Sequence, residues 1–197
     1  IIVVDDNSSD KTGQIAHNYS KKYKNIRVVH RSKGINGMGA ALKEGTKAAK
    51  GKYVVWVMGD NSDDLTMIPI FIEKLKNNYD VVFGSRYMKG GSRGDLGVLK
   101  AMLGVCYTSI SSLIFGIKVH DITNAFRAFK KEVFENVKLE SNDFAISPEF
   151  AIKSHLKGYR LGEIPTVYKN RKAGQPKFKL IKMGIAYCKL FKYKLII

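Results

Sequence analysis

Four apolar-rich runs divide the first half of the chain, at residues 1–4, 26–29, 53–58 and 80–85, and each gives way to polar, turn-forming residues. Ile1-Ile2-Val3-Val4 stops at Asp5-Asp6-Asn7-Ser8-Ser9-Asp10, and Tyr53-Val54-Val55-Trp56-Val57-Met58 stops at Gly59-Asp60-Asn61-Ser62-Asp63-Asp64. Runs that are continuously apolar rather than alternating mark strands buried on both faces. Between them the spacing predicts helices over residues 10–24, capped by Ser9 or Asp10, from the turn at 33–39 through about residue 50, and over 66–76, where Pro69 is tolerated near the first turn. Small Ala40, Ala41, Ala48 and Ala49 suit the second of these to close packing. This alternation predicts an α/β domain with a mainly parallel sheet and helices on both faces.

Residues 86–97 are rich in glycine and basic side chains and read as a mobile loop. A helix over 98–115, a strand over 125–129, a helix over 148–157 and a strand over 159–167 follow. The uncharged stretch 101–117 falls short of the 18–20 apolar residues that a spanning helix needs and holds Thr108, Ser109, Ser111 and Ser112, so a packed or interfacial helix is expected. From residue 178 to 197 the pattern is again helical. Lys179, Lys182, Lys189 and Lys192 share an arc of about 140°, the composition of a helix that meets an anionic bilayer surface or docks with its lysines in water. The chain thus divides into a domain over 1–177 and a basic amphipathic helix over 178–197.

A length of 197 residues, 45% hydrophobic, supports one sizeable core. Against 34 Lys and Arg stand 17 Asp and Glu, a net charge of +17, with no acid after Glu163. That excess favours an anionic partner: a diphosphate, nucleic acid or an acidic membrane. Cys106 and Cys188 show no metal spacing and read as free thiols of a reducing compartment, a disulfide between them staying open. The four histidines are scattered at 17, 30, 120 and 155 without ligand spacing. No Gly-Lys-Ser/Thr triplet follows the glycines at 34, 37 and 39, which speaks against a nucleoside triphosphatase loop.

Two buried strands that deliver acids to one sheet edge suit a nucleotide-plus-metal site, since ligands of open α/β sheets bind beyond the strands' carboxyl ends. The ordered set Val3-Val4-Asp5-Asp6-Asn7-Ser8-Ser9-Asp10, Gly37-Met38-Gly39-Ala40, Met58-Gly59-Asp60, Gly84-Ser85-Arg86-Tyr87 and Phe126-Arg127-Ala128 resembles that of inverting GT-A glycosyltransferases. With Gly158-Tyr159-Arg160-Leu161-Gly162-Glu163-Ile164-Pro165, Arg171, Gly174 and Lys177, the chain is similar to the branch that loads sugars onto dolichyl or polyprenyl phosphate. Members of that branch begin with a further strand and helix, and residue 1 matches their second strand; the resemblance implies that this sequence lacks a central strand.

The resemblance also implies roles. Asp5, Asp6, Asn36 and Gly37 would bind the nucleotide sugar, with a strand-end turn and helix cap as the other reading of the two acids. Asp60 would hold Mg²⁺ or Mn²⁺ beneath the donor diphosphate and serve catalysis. Met58 stands where the family's Asp-x-Asp motif has its first acid, and a thioether is a poor ligand for a hard cation. Asp63 and Asp64 read as helix-start acids. Arg86 and Arg127 would bind donor diphosphate or acceptor phosphate, Arg127 being counted as catalytic, with a buried ion pair to Glu149 or Asp121 as its alternative. Arg171 and Lys177 would close over diphosphate or the acceptor.

The expected activity is inverting transfer of a sugar from a UDP- or GDP-sugar to polyprenyl or dolichyl phosphate, at the cytoplasmic face of an anionic membrane. A phosphate acceptor is already ionised and needs positioning and charge neutralisation rather than a strong base. A sugar-hydroxyl acceptor would need a base, for which Asp143 or Glu149 would serve. A nucleotidyltransferase that releases pyrophosphate and a non-catalytic membrane-binding module remain open. Nucleic acid is not expected, because the strand-end acids repel its phosphates.

Overall fold

The computed structural model describes residues 1–31, 34–170 and 178–196, the last without its side chain. Strand β1 (Ile2–Asp5) pairs in parallel with β2 (Arg27–His30), Val3 opposite Val28 and Val4 opposite Val29, across the connecting helix α1 (Thr12–Lys22). After α2 (Met38–Ala48) comes a second sheet in the order β3-β5-β4-β6, made of β3 (Tyr53–Trp56), β4 (Val81–Ser85), β5 (Arg127–Lys130) and β6 (Leu161–Pro165). The chain therefore builds two ladders, not one continuous sheet. Within the larger one β4 and β6 are parallel, as expected, whereas β5 runs antiparallel to both β3 and β4. The reason is topological: after helix α4 (Val98–Phe115) the loop 116–126 delivers the chain to a point opposite Phe83, near the carboxyl end of β4, so β5 must run back.

Helices cover both faces of this sheet. Alternation along β4 sends Val81 and Phe83 into one core and Val82 into the other. The larger core packs Trp56, Phe129 and Phe150, with ring centroids 4.9–5.3 Å apart, under α6 (Ile146–Leu156). The smaller packs Phe71 and Leu75 of α3 (Ile68–Lys76) on Phe126, Ala128 and Ile164. Asp64 caps the 3-10 turn Leu65–Met67 ahead of α3 by accepting the Thr66 N–H, and Asp10 accepts that of Thr12 at the start of α1. A short helix α5 (Lys131–Asn136), not foreseen from the pattern, follows β5 directly.

The C-terminal segment is not one continuous helix. Helix α7 (Leu180–Lys189) passes into a 3-10 segment, Leu190–Ile196. Leu190 and Tyr193 are buried in the larger core, and Tyr107 of α4 donates its hydroxyl hydrogen bond to the Tyr187 carbonyl at 3.0 Å.

Candidate functional site

Three strand ends carry most of the polar residues singled out by the sequence. At the end of β1, Asp5 accepts the Ser8 N–H at 3.1 Å and meets His30 Nδ1 at 3.2 Å, and the hydrogen bonds from Ser8, with His30, hold its carboxyl below the usual range against the opposing cost of burial. Asp6 pairs with Arg31 and accepts the Gly37 N–H at 2.7 Å, which fixes the turn into α2. Asp6 and Gly37 are therefore brought together, and Asn36 lies exposed beside them. Gly37 has φ 147°, and a Cβ there would stand 2.4 Å from the Asn142 carbonyl oxygen. Beside this turn, Arg31, Ile35, Lys43, Lys47, Lys138 and Asn142 are among the residues lining an open groove of about 570 Å³.

Beyond β3 the chain turns through Asn61, whose φ is 60°. The turn folds Asp63 back so that it accepts the Met58 N–H at 2.9 Å, while Asp60 accepts both the N–H and the hydroxyl of Ser62, at 3.2 and 2.6 Å. Desolvation first, then the charge of Asp60, pushes Asp63 up to about 6; Arg86 pulls the other way. Asp60, Asp63 and Arg86 thus share one electrostatic neighbourhood. Met58, Gly59, Asn61 and Asp63 line a small cavity of about 160 Å³. The sequence reading of Asp63 as a helix-start acid is corrected: Asp64 caps, and Asp63 turns inward.

Past β4, Arg86 forms a two-pronged pair with fully buried Asp121, Nε to Oδ2 at 2.7 Å and Nη2 to Oδ1 at 3.0 Å, and Nη2 also reaches the Thr123 hydroxyl at 2.9 Å. Asp121 further accepts the N–H groups of Thr123 and Asn124, so one carboxylate ties Arg86 to the 121–124 turn. The two N–H groups on Nη1 find no acceptor among the described residues. Asp121 entered the sequence reading only as a possible partner of Arg127; its signal was an acid six residues before the start of β5, too common to single out.

Arg127 lies elsewhere. It is fully buried, its guanidinium donating to the carbonyls of Ser147 at 2.7 Å, Ile122 at 3.3 Å and Asn124, and sitting over the rings of Phe83 and Trp56. Burial pulls it below its ordinary range. In this position it meets backbone carbonyls in the core, where the resemblance implied a phosphate ligand with a buried ion pair as its alternative; the guanidinium forms no ion pair with Glu149. Glu149 is fully buried and accepts the N–H groups of Glu140 and Ser141, both at 2.8 Å, and Lys153 at 2.6 Å. Asp143 accepts the Ala145 N–H at the start of α6. Arg171 and Lys177 lie outside the described residues. Among the described residues there is no cluster of three His, Cys, Asp or Glu side chains able to enclose a metal, so any cation here needs oxygens from its ligand as well.

Comparison with known proteins gives this geometry a family. The model described as Glycosyl transferase family 2 matches residues 1–138. A dolichol-phosphate mannosyltransferase of Pyrococcus furiosus is 33% identical over 91% of the chain and 50% of its own length. A dolichyl-phosphate hexose transferase of Haloferax volcanii is 28% identical over 94% of the chain and 76% of its own length. The chain therefore spans about half the length of the first of these relatives. A crystal structure of glucosyl-3-phosphoglycerate synthase from Mycobacterium tuberculosis with uridine diphosphate superposes with TM-score 0.70 at 16% identity, covering 98% of the chain and 67% of that protein. A second structure of the same enzyme, with Mn²⁺ and UDP-glucose, gives TM-score 0.68 at 17% identity over 96% of the chain and 64% of its own. At such identities the likeness shows the fold, that of the GT-A glycosyltransferases.

Proposed function

The chain belongs to glycosyl transferase family 2, and on that premise we propose that it transfers a hexose from a UDP- or GDP-sugar to dolichyl or polyprenyl phosphate. The observation that carries the reading is the group at the carboxyl ends of β3 and β4: Asp60, Asp63, whose proton affinity is raised by burial and by the charge of Asp60, and Arg86. A buried carboxylate held near a second negative charge is poised for a divalent cation, whose charge relieves the repulsion. Hard oxygens of this kind fit Mg²⁺ or Mn²⁺, and the structural relative with Mn²⁺ and UDP-glucose supports such a metal. When bound, the cation would neutralise charge on the departing diphosphate. Asp60 is the proposed ligand, with Asp63 next to it and Met58 contributing only its N–H.

Arg86 is held by Asp121, and its Nη1 meets no acceptor among the described residues, so we assign it to the donor diphosphate or the acceptor phosphate. Asp6 and Gly37, across the turn into α2, take the nucleoside side, with Asp5 beneath them. The names of the two sequence relatives support a lipid-phosphate acceptor. So does the state of Glu149, whose carboxylate already accepts two backbone N–H groups and Lys153, leaving a hydroxyl acceptor without that base. Arg171 and Lys177 remain proposed contacts to the diphosphate or the acceptor, and a membrane surface is the proposed place of work.

The test is a panel of UDP- and GDP-hexoses incubated with dolichyl phosphate and Mn²⁺ or Mg²⁺, reading lipid-linked sugar and released nucleoside diphosphate. Formation of both supports the reading. Release of pyrophosphate would make the protein a nucleotidyltransferase, and transfer only to sugar hydroxyls would move it to polysaccharide chemistry.

A further inference from the structure

An acid in the first turn of a helix is ordinarily a solvated side chain that complements the helix dipole. Glu149, in the first turn of α6, is fully buried instead, and both its oxygens are taken by the loop that joins α5 to α6: Oε1 accepts the Glu140 N–H and Oε2 the Ser141 N–H, each at 2.8 Å. Lys153, one turn further along, donates to Glu149 at 2.6 Å, to the Lys138 carbonyl at 2.6 Å and to the Glu140 side chain at 3.1 Å. Tyr193 adds its hydroxyl to Glu149 at 3.4 Å. Burying charge is costly, and apolar side chains of similar volume often serve stability as well. What this carboxylate secures is a position: it draws the backbone of residues 140–141 inward onto α6.

The same loop bears on the start of α2. Asn142, next in the chain, accepts the Ala40 N–H on its carbonyl at 3.1 Å and the Lys43 ammonium on its side-chain oxygen at 2.8 Å. The fit is tight. A Cβ at Gly37 would stand 2.4 Å from the Asn142 carbonyl oxygen, and one at Gly39 would stand 2.8 Å from backbone atoms of Ser141, Asn142 and Asp143. Backbone packed this closely passes a shift on rather than absorbing it. Gly37 in turn donates its N–H to Asp6 at 2.7 Å, and Asp6 also pairs with Arg31. A run of contacts therefore leads from Glu149 through residues 140–142 to Gly37 and Asp6.

We infer that Glu149 is a positioning residue for the nucleotide sugar: by fixing the loop 140–142 it sets where the turn into α2, and with it Asp6, stands. It acts through that loop, not on the substrate. The inference rests on the reading above that Asp6 and Gly37 take the nucleoside side. Asp60 and Arg86 belong to the ends of β3 and β4 instead, so damage at Glu149 falls on donor binding and spares the chemical step.

Glu149→Gln keeps the volume, but its amide NH2 faces one of the loop N–H groups, so a loop hydrogen bond is lost. In the full chain it should raise the dissociation constant of UDP or GDP, whichever the wild type binds, and the donor KM by about tenfold, with kcat and the acceptor KM within about twofold. Exchange of the Ala40 amide with deuterium should quicken by about tenfold or more. Lys43→Met removes the Lys43–Asn142 bond and leaves the buried carboxylate in place; it should move the same quantities the same way by about threefold, and it decides the matter if Glu149→Gln does not fold. A fall in kcat with donor binding unchanged would make Glu149 part of the chemical step, and a lower melting temperature with donor binding and kcat both unchanged would make it purely structural; either overturns the inference. A wild type that binds neither UDP nor GDP would sink the proposed reaction together with this role, whereas nucleotide binding that both variants leave intact would sink the role alone.

Discussion

Beyond β3 the charge of Asp60 adds to burial in raising the proton affinity of Asp63, and these two acids set two predictions. Asp60→Asn should cut sugar transfer about a hundredfold or more at saturating Mn²⁺, because it removes the carboxylate at the proposed metal position; Met58→Asp should tighten the metal requirement, read as a lower Mn²⁺ concentration at half-maximal rate. For Asp63 the sign follows from its pKa, raised from 3.8 to about 6. The folded state then holds this proton more tightly than the unfolded state, so the stabilisation is complete below about pH 4 and is lost as pH rises to about 6. Asp63→Asn should therefore match the wild type near pH 4 and exceed it by about 3 kcal/mol at neutral pH in denaturant titrations. Equal stability at both values would refute the burial argument. At this scale the place of Asp60 beyond β3 was legible, because an acid two residues past an apolar run falls where that run leaves the sheet. The inward turn of Asp63 was not, because it depends on a left-handed Asn61 that sequence alone does not announce. Nor was the fate of Arg127: an arginine in an apolar strand serves a site or a core, and what packs over it decides which.

Between elements, Arg127 ties β5 to the start of α6 and to the 122–124 turn through three carbonyls. Arg127→Met should cost about 3 kcal/mol or more, since it strands buried carbonyls, and Lys should fail to rescue because it lacks the planar fork. A variant that unfolds normally but loses affinity for phosphate-bearing substrate would restore the direct-ligand reading. The start of α2 makes a similar argument with glycine. A Cβ on Gly39 would meet backbone atoms of Ser141, Asn142 and Asp143 at 2.8 Å, none of them free to swing aside, so Gly39→Ala should destabilise by about 1–3 kcal/mol in thermal melts. The glycines at 37 and 39 were visible in the sequence as a turn, yet their partner, a loop a hundred residues away, was not. The helix read over 98–115 matches α4 to the residue, and the strands fall within a few residues of their reading; the direction of β5 escaped because it is decided by where a long loop returns the chain.

At the scale of the whole molecule, the basic tail is where the sequence reading and the packed structure part most usefully. Periodicity placed four lysines on one arc of a helix that either meets a bilayer or docks with its lysines in water; in the structure Met183, Leu190 and Tyr193 are buried, and Tyr193 donates its hydroxyl to Glu140 at 3.2 Å. Lys192 also lies 3.5 Å from Glu140. The tail therefore contributes to folding as well as to surface charge, and the two contributions can be separated. Removing everything after residue 177 should lower the melting temperature by about 10 °C or more, because it uncovers Tyr107, Phe115 and the face of α6 and forfeits several buried side chains. Reversing Lys179, Lys182 and Lys189 to Glu, all exposed, should leave melting nearly unchanged and weaken binding to anionic vesicles, the loss shrinking as salt rises. Adding Lys192→Glu should cost a little stability through repulsion with Glu140, up to about 1 kcal/mol at so exposed a pair. If truncation instead leaves melting untouched, the tail is a separate anchor and the division at residue 178 stands. If the triple reversal unfolds the protein, its lysines are structural and the membrane reading of the tail fails.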